Sequence, residues 1–296
     1  MGKKRVIVTM VMLLVGLIGP AAIGQGDPNL MGWWKFDGDA SDASGNGRDG
    51  TLVGDATFSP GLLGQALVLD GTGDYVNVVG YKGVLGANAF SVALWINTTG
   101  SGTMINWGTQ AAAQRVDFRV DVGRLRMEHG NGNVQGNTVL NDGQWHHVAL
   151  TVVAGATMTY PNVTVYVDGV DDSKPMIAGP AFDLVANADF TIGRRQTNND
   201  RAFTGWLDDV RLYNRVLTAA EVQALAARPR AYNPNPSSGA EGVVFPALSW
   251  QPRKTAIWHD VYLGTSPELG PGDLVAPHWK STMYIYPGLI PGMTYY

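Results

Sequence analysis

The sequence contains no cysteine in 296 residues. A small scaffold stapled by disulfides is therefore excluded, and a large domain must be held by its own apolar core. Glutamate is scarce: Glu128, Glu221, Glu241 and Glu268 are all there are. No basic run follows Arg5, and the formal net charge is −4. Loss of Lys3, Lys4 and Arg5 with a leader would leave −7. That balance argues against sequence-independent nucleic-acid binding, which needs clustered Lys and Arg. There is no phosphate loop, no dinucleotide fingerprint and no strand–helix–strand rhythm, so no nucleotide is expected as a partner. After the first apolar stretch no other is long enough to cross a bilayer.

Gly and Pro together supply 54 residues, and nine tryptophans are present. The chain reads as a turn-rich folded protein. Its N-terminus reads as an export signal over residues 1–24. Lys3, Lys4 and Arg5 precede an apolar stretch from Val6 to Gly19, and small residues at Ala22 and Gly24 suit cleavage. Membrane involvement is expected only through that export, and the mature protein is expected to be secreted or held at the cell surface.

Period-two alternation is clear in several segments. Val116, Phe118 and Val120 alternate with Arg115, Asp117, Arg119 and Asp121. Leu125 and Met127 alternate with Arg124, Arg126 and Glu128. Asp121–Arg124 between them predicts a hairpin turn. The segments 90–96 and 145–153 are apolar on both faces and predict covered central strands. About a dozen short strands with Gly, Asn and Asp clusters between them predict an all-β antiparallel sandwich. One short helix is expected after Thr218, because Thr218-Ala-Ala-Glu221 fits a capping box, with Leu217, Val222 and Leu225 as its apolar stripe.

The order and spacing of several motifs resemble the laminin-G-like jelly-roll family within the concanavalin A-like lectin and glucanase group. They are Met31-Gly-Trp-Trp-Lys-Phe36, Asp70-Gly-Thr-Gly-Asp-Tyr-Val76, Trp145-His-His-Val-Ala-Leu150, Val165-Tyr-Val-Asp-Gly169, Thr191-Ile-Gly193 and Gly205-Trp-Leu-Asp-Asp-Val-Arg-Leu-Tyr-Asn214. The resemblance spans residues 27–228 and implies a two-sheet jelly roll closed by a short C-terminal helix. It also implies a binding module for carbohydrate or extracellular-matrix and cell-surface partners. One alternative is the targeting appendage of a larger secreted glycoside-active enzyme. Another is a structural surface protein that makes protein–protein contacts. A fold alone does not decide among these.

Residues 229–242, with Pro234, Pro236 and Ser237-Ser-Gly239, have linker composition. Residues 243–296 resemble an incomplete fibronectin type III module, in which Tyr295-Tyr296 sits where that fold has its tyrosine corner. About 65 residues follow the jelly roll where such a sandwich uses ~90–100, which predicts either a fragment of a longer secreted protein or a gene cut short.

No catalytic residue is expected. Glycoside cleavage needs paired carboxylates flanking the bond. The alternating Glu-Asp-Glu of retaining glucanases on this kind of sandwich is missing, since Glu128 has no acidic neighbour two or four positions away. Asp117 and Asp121 share a strand face and read as solvated charges paired with Arg115 and Arg119. His146 and His147 are consecutive and point to opposite faces. The acidic loop 37–46 suits a structural Ca²⁺ ion. Asp37, Asp39 and Asp42, joined by Asp208 from a neighbouring strand, are the candidate ligands. The competing reading makes Asp208 an acceptor for backbone amides or for Arg211 or Arg215. Asp70–Val76 reads as a tight acidic turn. Trp33, Trp34, Trp95, Trp145 and Trp206 sit in strand patterns and are expected in the core. Trp107, at the bend Asn106-Trp-Gly108, is the expected exposed ring for sugar stacking. Arg194, Arg195 and Asn198, in the polar loop after Thr191-Ile-Gly193, would either hydrogen-bond a glycan or simply be solvated.

Overall fold

The computed structural model describes residue 24 and residues 26–196, 200–227, 232–236, 247–252, 259–266, 269, 271–288, 290 and 293–296. The export signal, apart from Gly24, lies outside the described residues. None of the described helices is long and apolar enough to cross a membrane.

The alternating segments fold as two eight-stranded antiparallel sheets, layered face to face. The first sheet runs, in spatial order, through Val170–Asp171, Val163–Val167, Trp145–Val152, Phe90–Asn97, Thr204–Tyr213, Gln65–Asp70 and Thr57–Pro60. Its eighth strand, Leu30–Trp34, pairs with the far half of Thr204–Tyr213, so the first and last strands of the domain lie side by side. The second sheet runs through Ser173–Ile177, Asn133–Val139, Arg124–Glu128, Arg115–Asp121, Gly102–Gly108, Ala188–Ile192, Tyr75–Val78 and Thr51–Val53.

The inward residues of both sheets make one core. Val92, Leu94 and Ile96 face Val116, Phe118 and Val120 across it, as the alternation requires. Its centre is aromatic. Trp34 stacks on Phe190 at 5.1 Å, and Trp107 meets Phe90 edge-on at 5.1 Å. The hairpin after Asp121 forms as the sequence predicts. Val122 and Gly123 both take positive φ (49° and 75°), the conformation that two-residue hairpins need.

The helix Ala219–Ala226 carries the expected capping box. Leu217, Val222 and Leu225 seat it on the outer side of the first sheet, against Ala93, Ala149, Tyr166 and Tyr213. It covers one end of that outer face and leaves the other open. A bulge in Thr204–Tyr213 matters here, because the pairing with Phe90–Asn97 breaks between Asp208 and Arg211. Asp209 takes φ 52°. One extra residue resets the alternation, so Leu207, Val210 and Leu212 all enter the core while Trp206 and Asp208 face outward.

In the C-terminal region, Tyr232–Asn235, Ala247–Gln251 and Met283–Ile285 form a three-stranded sheet, and His259–Tyr262 pairs with Leu274–Trp279. Part of the expected linker is thus a strand. The Tyr295 hydroxyl accepts the Ile290 amide at 3.0 Å.

Candidate functional site

Two surfaces of the jelly roll carry groups suited to recognition. The first is the open end of the first sheet's outer face. Trp206, Asn97 and Trp145 stand in register on three adjacent strands. Neighbouring strands lie ~4.8 Å apart, so the two indoles sit ~10 Å apart with the asparagine between them. Trp206 is 37% exposed and Trp145 is half-buried. The Trp206 indole N–H donates to Ser59 Oγ at 2.9 Å, which fixes the ring. A cleft of about 260 Å³ runs along this row, lined by Ser59, Pro60, Asn97, Trp145, Trp206 and, from the C-terminal region, His278. In the next row inward, Trp95 and His147 are buried and meet edge-on at 5.2 Å. Burial lowers the His147 pKa to about 3, so the ring stays neutral and serves packing. Trp145 and Trp206 were expected in the core. They escape it because the bulge turns Trp206 outward and both lie beyond the reach of the helix.

The second surface is the outer face of the second sheet. Its charged residues are not the solvated fringe that alternation suggests. Asp117 is fully buried and Arg119 nearly so. Asp117 accepts from Thr103 Oγ1 at 2.7 Å, from Arg119 at 2.8 Å and from Arg201 at 2.9 Å, with Arg195 at 3.7 Å. Glu128 binds Arg115 and Arg119, both at 2.8 Å, and Arg126 at 3.1 Å. Burial would raise the Glu128 pKa, but Arg119, Arg126 and Arg115 outweigh it and hold the group at about 2. Asp121 pairs with Arg119 and Arg126. At the edge of this lattice a cavity of about 320 Å³ is lined by Val122, Arg124, Gln135, Gly136, Asn137 and Lys174.

The residues expected to bind ligand are not brought together. Trp107 is wholly buried, and its indole N–H donates to the Val84 carbonyl at 2.9 Å. Its strand is central in the second sheet and the ring points inward, so it cannot meet a ligand. Arg195 is buried and grips Asp200, with Nε at 2.6 Å from Oδ1. Its guanidinium is spent on Asp200 and Asp117 and does not reach outward. Arg194 lies over the Tyr75 ring at 5.2 Å. Asn198 lies outside the described residues.

The four aspartates expected around Ca²⁺ also divide. Asp39 accepts from Ser41 of its own turn. Asp42 accepts the amides of Trp33, Ser44 and Arg48, closing the loop from within. Asp37 and Asp208 instead clamp a single turn from two sides. Asp37 takes the Gln65 amide at 3.0 Å, while Asp208 takes those of Leu62 and Leu63 at 3.0 and 2.8 Å. Gly61 and Gly64 allow this approach, for a side chain on Gly64 would strike Asp37 Oδ1 at 2.0 Å. The other oxygen of Asp208, Oδ1, is buried and has no hydrogen-bond partner among the described residues. Burial, reinforced by the charges of Asp209 and Asp37, pushes the Asp208 pKa up to about 8. Among the described residues the acidic side chains that do converge are Asp55, Asp70 and Asp74, within 4.8 Å of one another. Asp74 closes that turn by accepting the Asp55 amide at 2.9 Å.

The two-layer antiparallel sandwich, with a polar outer face and an aromatic one, is a jelly roll. The chain belongs to the concanavalin A-like lectin/glucanases superfamily, whose family profile matches residues 70–223. No curated protein matches it in sequence. Among solved structures it is similar to domain 4 of AbnA, a GH43 extracellular arabinanase from Geobacillus stearothermophilus, in complex with arabinotriose. The identity is 26% and the TM-score 0.54, covering 67% of this chain and 98% of that one. It is also similar to the binding domain of Paraclostridial Mosquitocidal Protein 1. There the identity is 16% and the TM-score 0.51, covering 67% of this chain and 52% of that one.

Proposed function

We propose that this chain is an exported, non-enzymatic glycan-binding module, and that its jelly roll grips neutral polysaccharide along Trp206, Asn97 and Trp145. The observation that carries the reading is the registered aromatic row at an open sheet face. Sugar rings present apolar faces that stack on indoles, and a carboxamide between two rings supplies directed hydrogen bonds to hydroxyls. The arabinotriose complex of the arabinanase domain supports the ligand class. That relative is one domain of a glycoside-active enzyme, which favours a targeting-appendage role as the second reading. Binding without turnover is supported by the state of the acids. Asp117 is buried among guanidinium groups, Glu128 stays ionised far below neutral pH, and Glu221 is tied to Thr218 and Arg215. None of these three is poised as a proton donor, and Asp208, which burial keeps protonated, is shut from solvent beneath the turn at 61–64.

Replacing Trp206 with alanine is expected to weaken binding of arabinotriose and longer neutral oligosaccharides about tenfold, or ~1.4 kcal/mol. Titration calorimetry reads the effect. Unchanged affinity in both Trp206→Ala and Trp145→Ala would remove this face from the reading.

Calcium forms part of the proposal as a structural ion held by Asp208 and Asp37. A divalent cation would satisfy the buried Asp208 Oδ1 and offset the charge that burial opposes. Without the ion, native Asp208 keeps its proton up to about pH 8. The unfolded chain releases it near pH ~4. The native state therefore binds more protons across that window, and this contribution to stability is lost as pH rises through it. In chelator, Asp208→Asn is expected to gain on the wild type between pH 5 and pH 8. With Ca²⁺ at ~100 times its dissociation constant, the wild type is expected to gain ~2.7 kcal/mol at pH 8. Scanning calorimetry in which Ca²⁺ and chelator leave the melting temperature unchanged would remove the ion. Residues 243–296 are proposed to form a fibronectin-like module, a reading supported by the Tyr295 hydroxyl closing on the chain just before it.

A further inference from the structure

We infer that the cavity between Arg124 and Lys174 is a second binding site, separate from the aromatic row, for a saccharide bearing a carboxylate. The inference rests first on where the cations of the second sheet are spent. Arg115, Arg119, Arg126, Arg195 and Arg201 are each tied to Asp117, Asp121, Glu128 or Asp200. Arg124 and Lys174 have no ion pair among the described residues, yet both line the same opening. A chain of net charge −4 thus sets two uncommitted cations around one cavity.

The cavity is built by a bulge. On one side of Asn133–Val139 the pairing with Arg124–Glu128 jumps from Gln135 opposite Arg126 to Val139 opposite Arg124. On the other side Gln135 faces Lys174 and Gly136 faces Ser173. The extra residues swing away and open the space. Asp172 fixes them there, since its carboxylate accepts from the Asn137 amide at 2.8 Å and from the Thr138 amide and hydroxyl, both at 3.0 Å. Glycine at position 136 keeps the floor clear, because a side chain there would crowd Asp172 Oδ2. Bulges re-aim side chains at functional sites, and this one is pinned to Asp172.

The chemistry of the lining names the ligand. Asp172 is the acid beneath the floor, and its oxygens are filled by Asn137 and Thr138. Asp121, at the hairpin, is bound to Arg119 and Arg126. Counted against Asp172, Arg124 and Lys174 still leave an excess of positive charge at the opening. A guanidinium offers a planar fork that matches a carboxylate, and an ammonium adds a point charge. The Gln135 carboxamide makes no hydrogen bond among the described residues, and Asn137 stands exposed at the rim. Carboxamides both donate and accept, as ring hydroxyls require. A volume of about 320 Å³ is at the small end for ligand sites and suits one or two sugar units. A uronate residue in a polysaccharide meets all of these demands.

The test titrates the full chain at low ionic strength with trigalacturonate, a sulfated trisaccharide and neutral arabinotriose. Trigalacturonate is expected to bind most tightly of the three to the cavity, with affinity that falls as salt is raised. The double variant Arg124→Gln, Lys174→Gln is expected to lose at least tenfold for trigalacturonate and to keep its melting temperature and its affinity for arabinotriose. Trp206→Ala is expected to do the reverse. The two sites therefore stand or fall separately. Trigalacturonate binding no tighter than arabinotriose, equal binding by the double variant, or preference for the sulfated probe would each overturn the assignment.

Discussion

Replacing Asp117 with alanine is expected to destabilise the jelly roll by ~3–5 kcal/mol, because it leaves buried cations without their counter-charge. Arg119 is almost wholly inaccessible, and Arg201 and Arg195 approach the same carboxylate oxygen. Thr103 loses its acceptor as well. Arg195 and Arg201 lie over the second sheet through these contacts, so their hold should fail along with overall stability. Denaturant unfolding measures the first effect and amide exchange at residues 200–203 the second. A loss below ~1 kcal/mol would mean that the guanidinium groups find water when the acid is gone, as surface pairs do.

Trp107→Ala is expected to cost a comparable ~3–5 kcal/mol, the range for deleting a large buried aromatic. The indole fills the space between Phe90 and Phe190, and the Gly83 turn lies directly on it. Its removal opens a cavity and leaves the Val84 carbonyl without its donor. Affinity for arabinotriose, measured below the new melting temperature, is expected to be unchanged. A stable variant with weakened sugar binding would restore Trp107 as a ligand contact and contradict the packing described here.

These two residues mark where sequence and structure part. The architecture was open to reading because Val116, Phe118 and Val120 repeat at the strand period, the hairpin at Asp121–Arg124 has its turn chemistry, and Thr218 and Glu221 announce the helix. What strand parity gives is a face, and it does not say what covers that face. Asp117 and Arg119 alternate outward as expected, yet the loop carrying Arg195 and Arg201 buries them. Trp107 lies beside Gly108 and read as a bend, but the strand Gly102–Gly108 is paired on both sides. The opposite error fell on Trp206. Unbroken alternation sets it with Val210 and Leu212, and the single extra residue at Asp209 reverses that. A bulge of this kind leaves one local signal: two consecutive aspartates, Asp208 and Asp209, inside an otherwise apolar strand. The Arg124–Lys174 cavity had no sequence signal, because its bulge is pinned by Asp172 from another strand.

The central claim is that an ordered aromatic row on the open end of the first sheet grips sugar. Titration of the full chain with neutral oligosaccharides of increasing length, followed by tryptophan emission, tests it most directly. A saturable change that strengthens with chain length, and is lost when Trp145 and Trp206 are both alanine, is the expected result. Emission that no oligosaccharide alters, or a response that survives in the double variant, would contradict it.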